Sequence, residues 1–72
     1  RKALFAVMRA AFAQRRKTLK NNLKDLIKEW GTAPEEFDRI LAELDLPKDV
    51  RGESLSLKQF IELTLKLTAE HR

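Results

Sequence analysis

A chain of 72 residues, 43% hydrophobic and 36% charged, has room for one domain with a small core and a solvated shell. It has no cysteine, so disulfides, thiolate metal sites and thiol nucleophiles are excluded, and two glycines and two prolines are too few for the turns of a β-sandwich. The net charge of +4 is unevenly spread: residues 1–30 hold nine Lys and Arg against two acids, whereas residues 31–72 hold six against nine, so a polyanion-facing half is joined to an acidic half.

The first helix is expected from about Lys2 to Ala13, with Leu4, Phe5, Met8, Ala11 and Phe12 as its apolar stripe. The second is expected from about Thr18 to Trp30. Leu19, Leu23, Leu26, Ile27 and Trp30 line one face, while Lys20, Lys24 and Lys28 form a separate row four residues apart. The Thr18 hydroxyl suits an N-cap, and Gly31 suits the left-handed residue that ends a helix. The third helix is expected to open with Thr32 as N-cap and Glu35 completing a capping box, with Pro34 in the first turn. Its buried face is Phe37, Ile40, Leu41 and Leu44, and Pro47 stops it. After a loop from Leu46 to Leu55, Ser56 and Gln59 make a second capping box. In that fourth helix Leu57, Phe60, Ile61, Thr64 and Leu67 face inward, with Leu63 and Leu65 partly off the main face. The expected fold is all-α, a small compact bundle of about four helices with short connections.

Side chains able to do catalysis are scarce. The single histidine, His71, stands beside the chain end, where fraying makes a poor base, and it has no second His or any Cys with which to hold a metal. Glu35 and Glu36 fit the dipole of a helix first turn. The two isolated glycines form no phosphate loop. The absence of disulfide staples favours an intracellular setting, no apolar run approaches the ~20 residues of a membrane span, and neither end resembles a signal peptide. The chain opens with Arg1-Lys2-Ala3-Leu4, without a methionine and already in a helical pattern, which leads us to expect an excised piece of a longer protein.

The segment that stands apart is Gln14-Arg15-Arg16-Lys17-Thr18-Leu19-Lys20-Asn21-Asn22-Leu23. Three adjacent cations sit at a helix junction, followed by a helix start whose free N–H groups also favour anions. Arg15 and Arg16 offer planar forks for phosphate oxygens, Lys17 and Lys20 offer point charges, and Asn21 and Asn22 add hydrogen-bonding capacity. A phosphate-backbone clamp, a merely solvated basic turn and a face for anionic lipid all fit these residues.

The run Ala11-Phe12-Ala13-Gln14-Arg15-Arg16-Lys17-Thr18-Leu19 with Asn22-Leu23, and the later Arg51-Gly52-Glu53-Ser54-Leu55-Ser56 with Phe60, resemble the two recurring patterns of the small C-terminal domain of ribosomal RNA adenine dimethyltransferases, the family whose loss gives kasugamycin resistance. The likeness spans essentially the whole chain. It implies a single helical rRNA-docking domain over residues 1–72, separated from an N-terminal Rossmann-like catalytic domain that would be its partner. That domain would use S-adenosylmethionine to dimethylate two neighbouring adenosines near the 3′ end of small-subunit rRNA. The glycine-rich cofactor loop and the Asn-Leu-Pro-Tyr-type motif of that domain are absent here, so no catalytic or cofactor role is carried to any residue of this chain. RNA contact is carried to Arg15, Arg16 and Lys17, and to Arg51. The resemblance further implies a cytoplasmic monomer acting on the immature small subunit. Mitochondrial relatives and macrolide-resistance methyltransferases share the fold, but the intact Arg-Arg-Lys-Thr-Leu run favours the housekeeping bacterial type. A helical protein-interaction bundle and a helix-turn-helix DNA-binding module are the rival readings.

Overall fold

An amphipathic helix of ten or so residues is marginal alone and needs neighbours to cover its apolar stripe. The computed structural model describes residues 2–69, and in them four helices supply one another with that cover. They are α1 (Lys2–Ala11), α2 (Leu19–Glu29), α3 (Pro34–Glu43) and α4 (Leu57–Ala69), with a 3₁₀ turn over Gly52–Ser54 before the last. No strand occurs among the described residues. The helices close a ring in which α1 packs on α2 and α4, and α3 packs on α2 and α4. α1 and α4 run antiparallel: Phe12, just past α1, meets Phe60 in the first turns of α4, while Lys2 and Ala3 share a groove with Leu67 and Thr68. Val7, Leu19, Leu23, Phe37, Ile40, Leu41, Phe60, Leu63 and Leu67 are completely or almost completely buried.

Local chemistry sets the helix ends. Thr18 Oγ1 accepts from the Asn21 amide at 3.2 Å and caps α2. Gly31, at φ 82°, ends α2 in a Schellman motif: Thr32 N–H donates to Ile27 O at 2.8 Å and Gly31 N–H to Lys28 O at 3.0 Å. Ser56 and Gln59 form the expected box, with Ser56 N–H donating to Gln59 Oε1 at 2.8 Å and Gln59 N–H to Ser56 Oγ at 3.2 Å. The start of α3 differs from expectation. Its N-cap is Ala33, and the reciprocal bond comes from Ala33 N–H to Glu36 Oε1 at 3.1 Å. The Thr32 amide still belongs to the Schellman closure of α2, so α3 begins one residue later, with Pro34 at its first position, where a missing N–H costs nothing. α3 then closes like α2, but with Asp45 in the left-handed region at φ 62°.

Two helix faces are rotated from the expected ones. On α1 the buried residues are Val7 and Ala11, flanked by Leu4, Met8 and Ala10, whereas Phe5 is 75% and Phe12 48% exposed. α1 serves two neighbours, and its alanine side faces α2, where Asn22 Nδ2 reaches Ala11 O at 2.9 Å, which turns the inward centre toward Val7. On α4 the inward residues are Phe60, Leu63, Thr64 and Leu67; Leu57 and Ile61 are exposed, as is Leu65 at 61%. Phe5, Phe12, Leu57, Ile61 and Leu65 thus remain uncovered beside the α1–α4 seam.

The two off-face leucines of α4 separate cleanly by experiment. Leu63→Ala should cost about 2–5 kcal/mol in urea unfolding, as for a fully buried leucine, and Leu65→Ala should stay within about 0.5 kcal/mol. Equal effects would show that the inward face of α4 is wrongly placed.

Candidate nucleic-acid interface

The seven residues between α1 and α2 could wander, since loops carry few apolar anchors. Here the loop is tied from three directions. Lys17 N–H donates to Gln14 O at 3.1 Å, a four-residue turn with Arg15 and Arg16 at its two central positions. The Asn22 side-chain Nδ2 donates to the carbonyls of Ala11 and Gln14, both at 2.9 Å, fastening the end of α1 and the loop to the flank of α2. From the other side, Leu19 N–H donates to Val50 O at 2.7 Å and Arg51 Nη1 donates to Arg16 O at 2.7 Å. Gly52 lies against α1 so closely that a Cβ there would stand 2.8 Å from Ala11 O and 3.2 Å from the Ala11 Cβ. Two sequence patterns some 35 residues apart are therefore one structural unit, in which residues 50–52 strap the basic turn in place.

Held this way, Arg15, Arg16 and Lys17 all project into solvent. Among the described residues none of the three has a carboxylate at ion-pair distance. Lys20 differs: its Nζ lies 2.9 Å from Asp38 Oδ2 on α3, and both side chains are partly covered. Arg51 reaches the same corner with its guanidinium committed in part to the Arg16 carbonyl, so it braces the turn as well as adding charge. The five candidate cations fall into three situations: three without a counterion, one paired with an acid, and one hydrogen-bonded to the backbone of the loop it supports.

Two expectations about this corner need correction. The start of α2 does not offer a full set of free amides, because Leu19 N–H is taken by Val50 O and Asn21 N–H by Thr18 Oγ1. Asn22 does not face outward as an added contact; its amide is used inside to shape the loop. The Thr18 cap is local and expected, but periodicity cannot reveal the bonds of Leu19 to Val50 or of Asn22 to Ala11 and Gln14, whose partners lie farther off in sequence. Elsewhere, no cluster of three or more metal-ligating side chains occurs among the described residues, and His71 and Arg1 lie outside them. Both glycines have structural tasks, Gly31 as a left-handed helix end and Gly52 in contact with Ala11. Trp30, which could have stacked on a base, is half-buried against the core.

No protein-family model matches the chain. Curated proteins do match it. The chain is 44% identical over 63 residues, 88% of its length, to Ribosomal RNA small subunit methyltransferase A of Bacillus cytotoxicus. It is 47% identical over 60 residues to the proteins of the same name in Bacillus thuringiensis and Bacillus mycoides, covering 83% of its length in each case. The chain spans about a fifth of the length of these relatives, 22% and 20%.

The strapped loop makes a signed prediction. Gly52→Ala should destabilise the chain by about 1–3 kcal/mol in thermal or urea unfolding, because the neighbouring group is backbone and cannot swing aside. At an unconstrained site the same change stabilises by about 0.4–1 kcal/mol. Asn22→Ala should cost about 1–3 kcal/mol by removing the donor shared by the Ala11 and Gln14 carbonyls, of which Gln14 O keeps Lys17 N–H. A stabilising Gly52→Ala would show that residues 50–52 do not press on α1.

Proposed function

We propose that this chain, a homologue over 63 residues of ribosomal RNA small subunit methyltransferase A, is the helical rRNA-docking domain of such an enzyme. The parent would be an S-adenosylmethionine-dependent adenine N6,N6-dimethyltransferase acting on two adjacent adenosines near the 3′ end of small-subunit rRNA during subunit assembly. The observation that carries this reading is the corner of Arg15, Arg16 and Lys17: exposed, without acidic partners among the described residues, and held in shape by Asn22, Val50 and Arg51. Preorganised cations bind phosphates without first losing loop freedom, which favours affinity. Arginine forks suit phosphate oxygens and carry no base code, so the domain grips by backbone and shape while base recognition and methyl transfer belong to the rest of the parent.

The uncovered apolar residues Phe5, Phe12, Leu57, Ile61 and Leu65 fit a second task, packing against the catalytic remainder of the parent chain. The parent would work as a monomer in the cytoplasm, where ribosomal subunits mature. No described helix is long and apolar enough to cross a membrane. A helix-turn-helix reading on duplex DNA is less favoured, because the start of α2 is engaged by the 50–52 strap and by Thr18.

The test is salt-dependent binding to purified small ribosomal subunits. Arg15→Ala and Arg16→Ala should each weaken binding and make the slope of log K against log salt shallower by about one. Both variants should keep the parent's unfolding curve, since Arg51 holds the backbone carbonyl of residue 16 and not its side chain. Unchanged affinity and slope in both would refute the reading, and tighter binding to duplex DNA than to subunits would replace it with the DNA-binding alternative.

A further inference from the structure

The cations of the corner do not end at Lys17. Positions 17, 20, 24 and 28 follow at spacings of three, four and four, so the three lysines of α2 continue the line as one row, with a turn of about 6 Å between neighbours. The Lys20–Asp38 ion pair at 2.9 Å fixes the side on which this row lies, toward α3. Lys24 and Lys28 are exposed, and among the described residues neither has an acid at ion-pair distance. The acids of α2, Asp25 and Glu29, border the groove on the opposite flank, against Ala10 of α1, and Lys28 stands at the edge of both flanks.

Between the lysine row and the start of α3 runs an open groove of about 470 Å³. Lys20, Lys24 and Lys28 rim it, Ile27, Thr32 and Pro34 line it, and no acidic residue contributes. Lysine stems lie readily along such apolar walls while their ammonium groups stay in water. The result is a cationic track with an apolar floor, about 12 Å long from Lys20 to Lys28, that continues directly from the Arg15–Lys17 corner.

We propose that this α2 row is a second phosphate-binding track, and that the RNA strand gripped at the corner runs on along α2, with Lys24 and Lys28 contacting successive parts of its backbone. The proposal rests on the rRNA-binding reading above and adds a direction to it: the strand leaves the corner on the α2–α3 side and not over the apolar α1–α4 seam. Lysines, as hydrated point charges without a fork, suit sequence-independent tracking of a backbone. The uncompensated charge of Lys24 and Lys28, in a groove lined by no acidic residue, gives the electrostatic complementarity that an RNA strand requires.

The experiment compares three variants of the chain, Lys24→Ala/Lys28→Ala, Arg15→Ala/Arg16→Ala and the fourfold combination. Binding to purified small ribosomal subunits is measured across a potassium chloride series, with phosphatidylglycerol vesicles as a second anionic surface. Lys20 is left in place so that its bridge to Asp38 persists, and circular dichroism checks that each variant stays helical. The lysine pair is expected to make the salt slope shallower by about two, and the fourfold variant by about four. If the arginine pair loses affinity while the lysine pair matches the parent in affinity and slope, the track is overturned and the corner stands. Should neither pair alter binding to subunits, the rRNA-binding reading falls and the track falls with it. A lysine pair that loses only vesicle binding also overturns the proposal, in favour of a lipid surface.

Discussion

The contact of residues 50–52 with the end of α1 and the start of α2 is the constraint on which the rest depends. Without a side chain at Gly52, the strap can come close enough to Ala11 for Val50 O to accept from Leu19 N–H and for Arg51 to reach the Arg16 carbonyl. Each such bond is worth only about 0.5–1.5 kcal/mol net. Their common effect is larger in kind, because they fix one conformation of a loop that would otherwise sample many, and the ordering cost is met in folding and not at the moment a partner arrives. The loop is thereby a rigid corner, with Arg15 and Arg16 at the outer positions of a turn and Lys17 closing it.

That corner is electrostatically costly for so small a domain. Three like charges in adjacent positions repel one another, and the structure places no acid beside them among the described residues. Acids are available: residues 31–72 carry a net −3. Three of them are used elsewhere, Asp38 with Lys20, Glu43 with Lys66, and Glu36 with Arg39 and the start of α3. A fold that pairs Lys20, Arg39 and Lys66 with acids but leaves the corner bare keeps an exposed electropositive surface there. The hydrophobic surface is divided in the same manner, with a dry core inside the ring of helices and a row of uncovered residues beside the α1–α4 seam.

Much of the architecture was legible in the sequence because it is locally encoded. The Thr18 cap, the left-handed Gly31 and the Ser56–Gln59 box each involve residues within three or four positions, and all are present. The four-helix content followed from the same signals. What could not be read depends on neighbours distant in sequence. Val7 displaces Phe5 from the core because α1 is covered by both α2 and α4, and a single apolar stripe does not say which flank a second neighbour will take. The N-cap of α3 falls on Ala33, one residue past the expected Thr32, whose amide finishes the preceding helix. In the candidate site the pattern of residue types marked the basic run and the Arg51–Ser56 stretch separately; that one braces the other, and that Asn22 turns inward, required the fold.

The most direct test of the account is a titration of the isotopically labelled chain with a 3′-terminal small-subunit rRNA fragment, followed in ¹H–¹⁵N spectra that include the arginine side-chain Nε–H groups. The largest shifts are expected on the Arg15 and Arg16 side chains and on backbone amides of residues 14–20 and 50–52. Shifts concentrated instead on Phe5, Leu57, Ile61 and Leu65, with the corner unmoved at saturation, would contradict it.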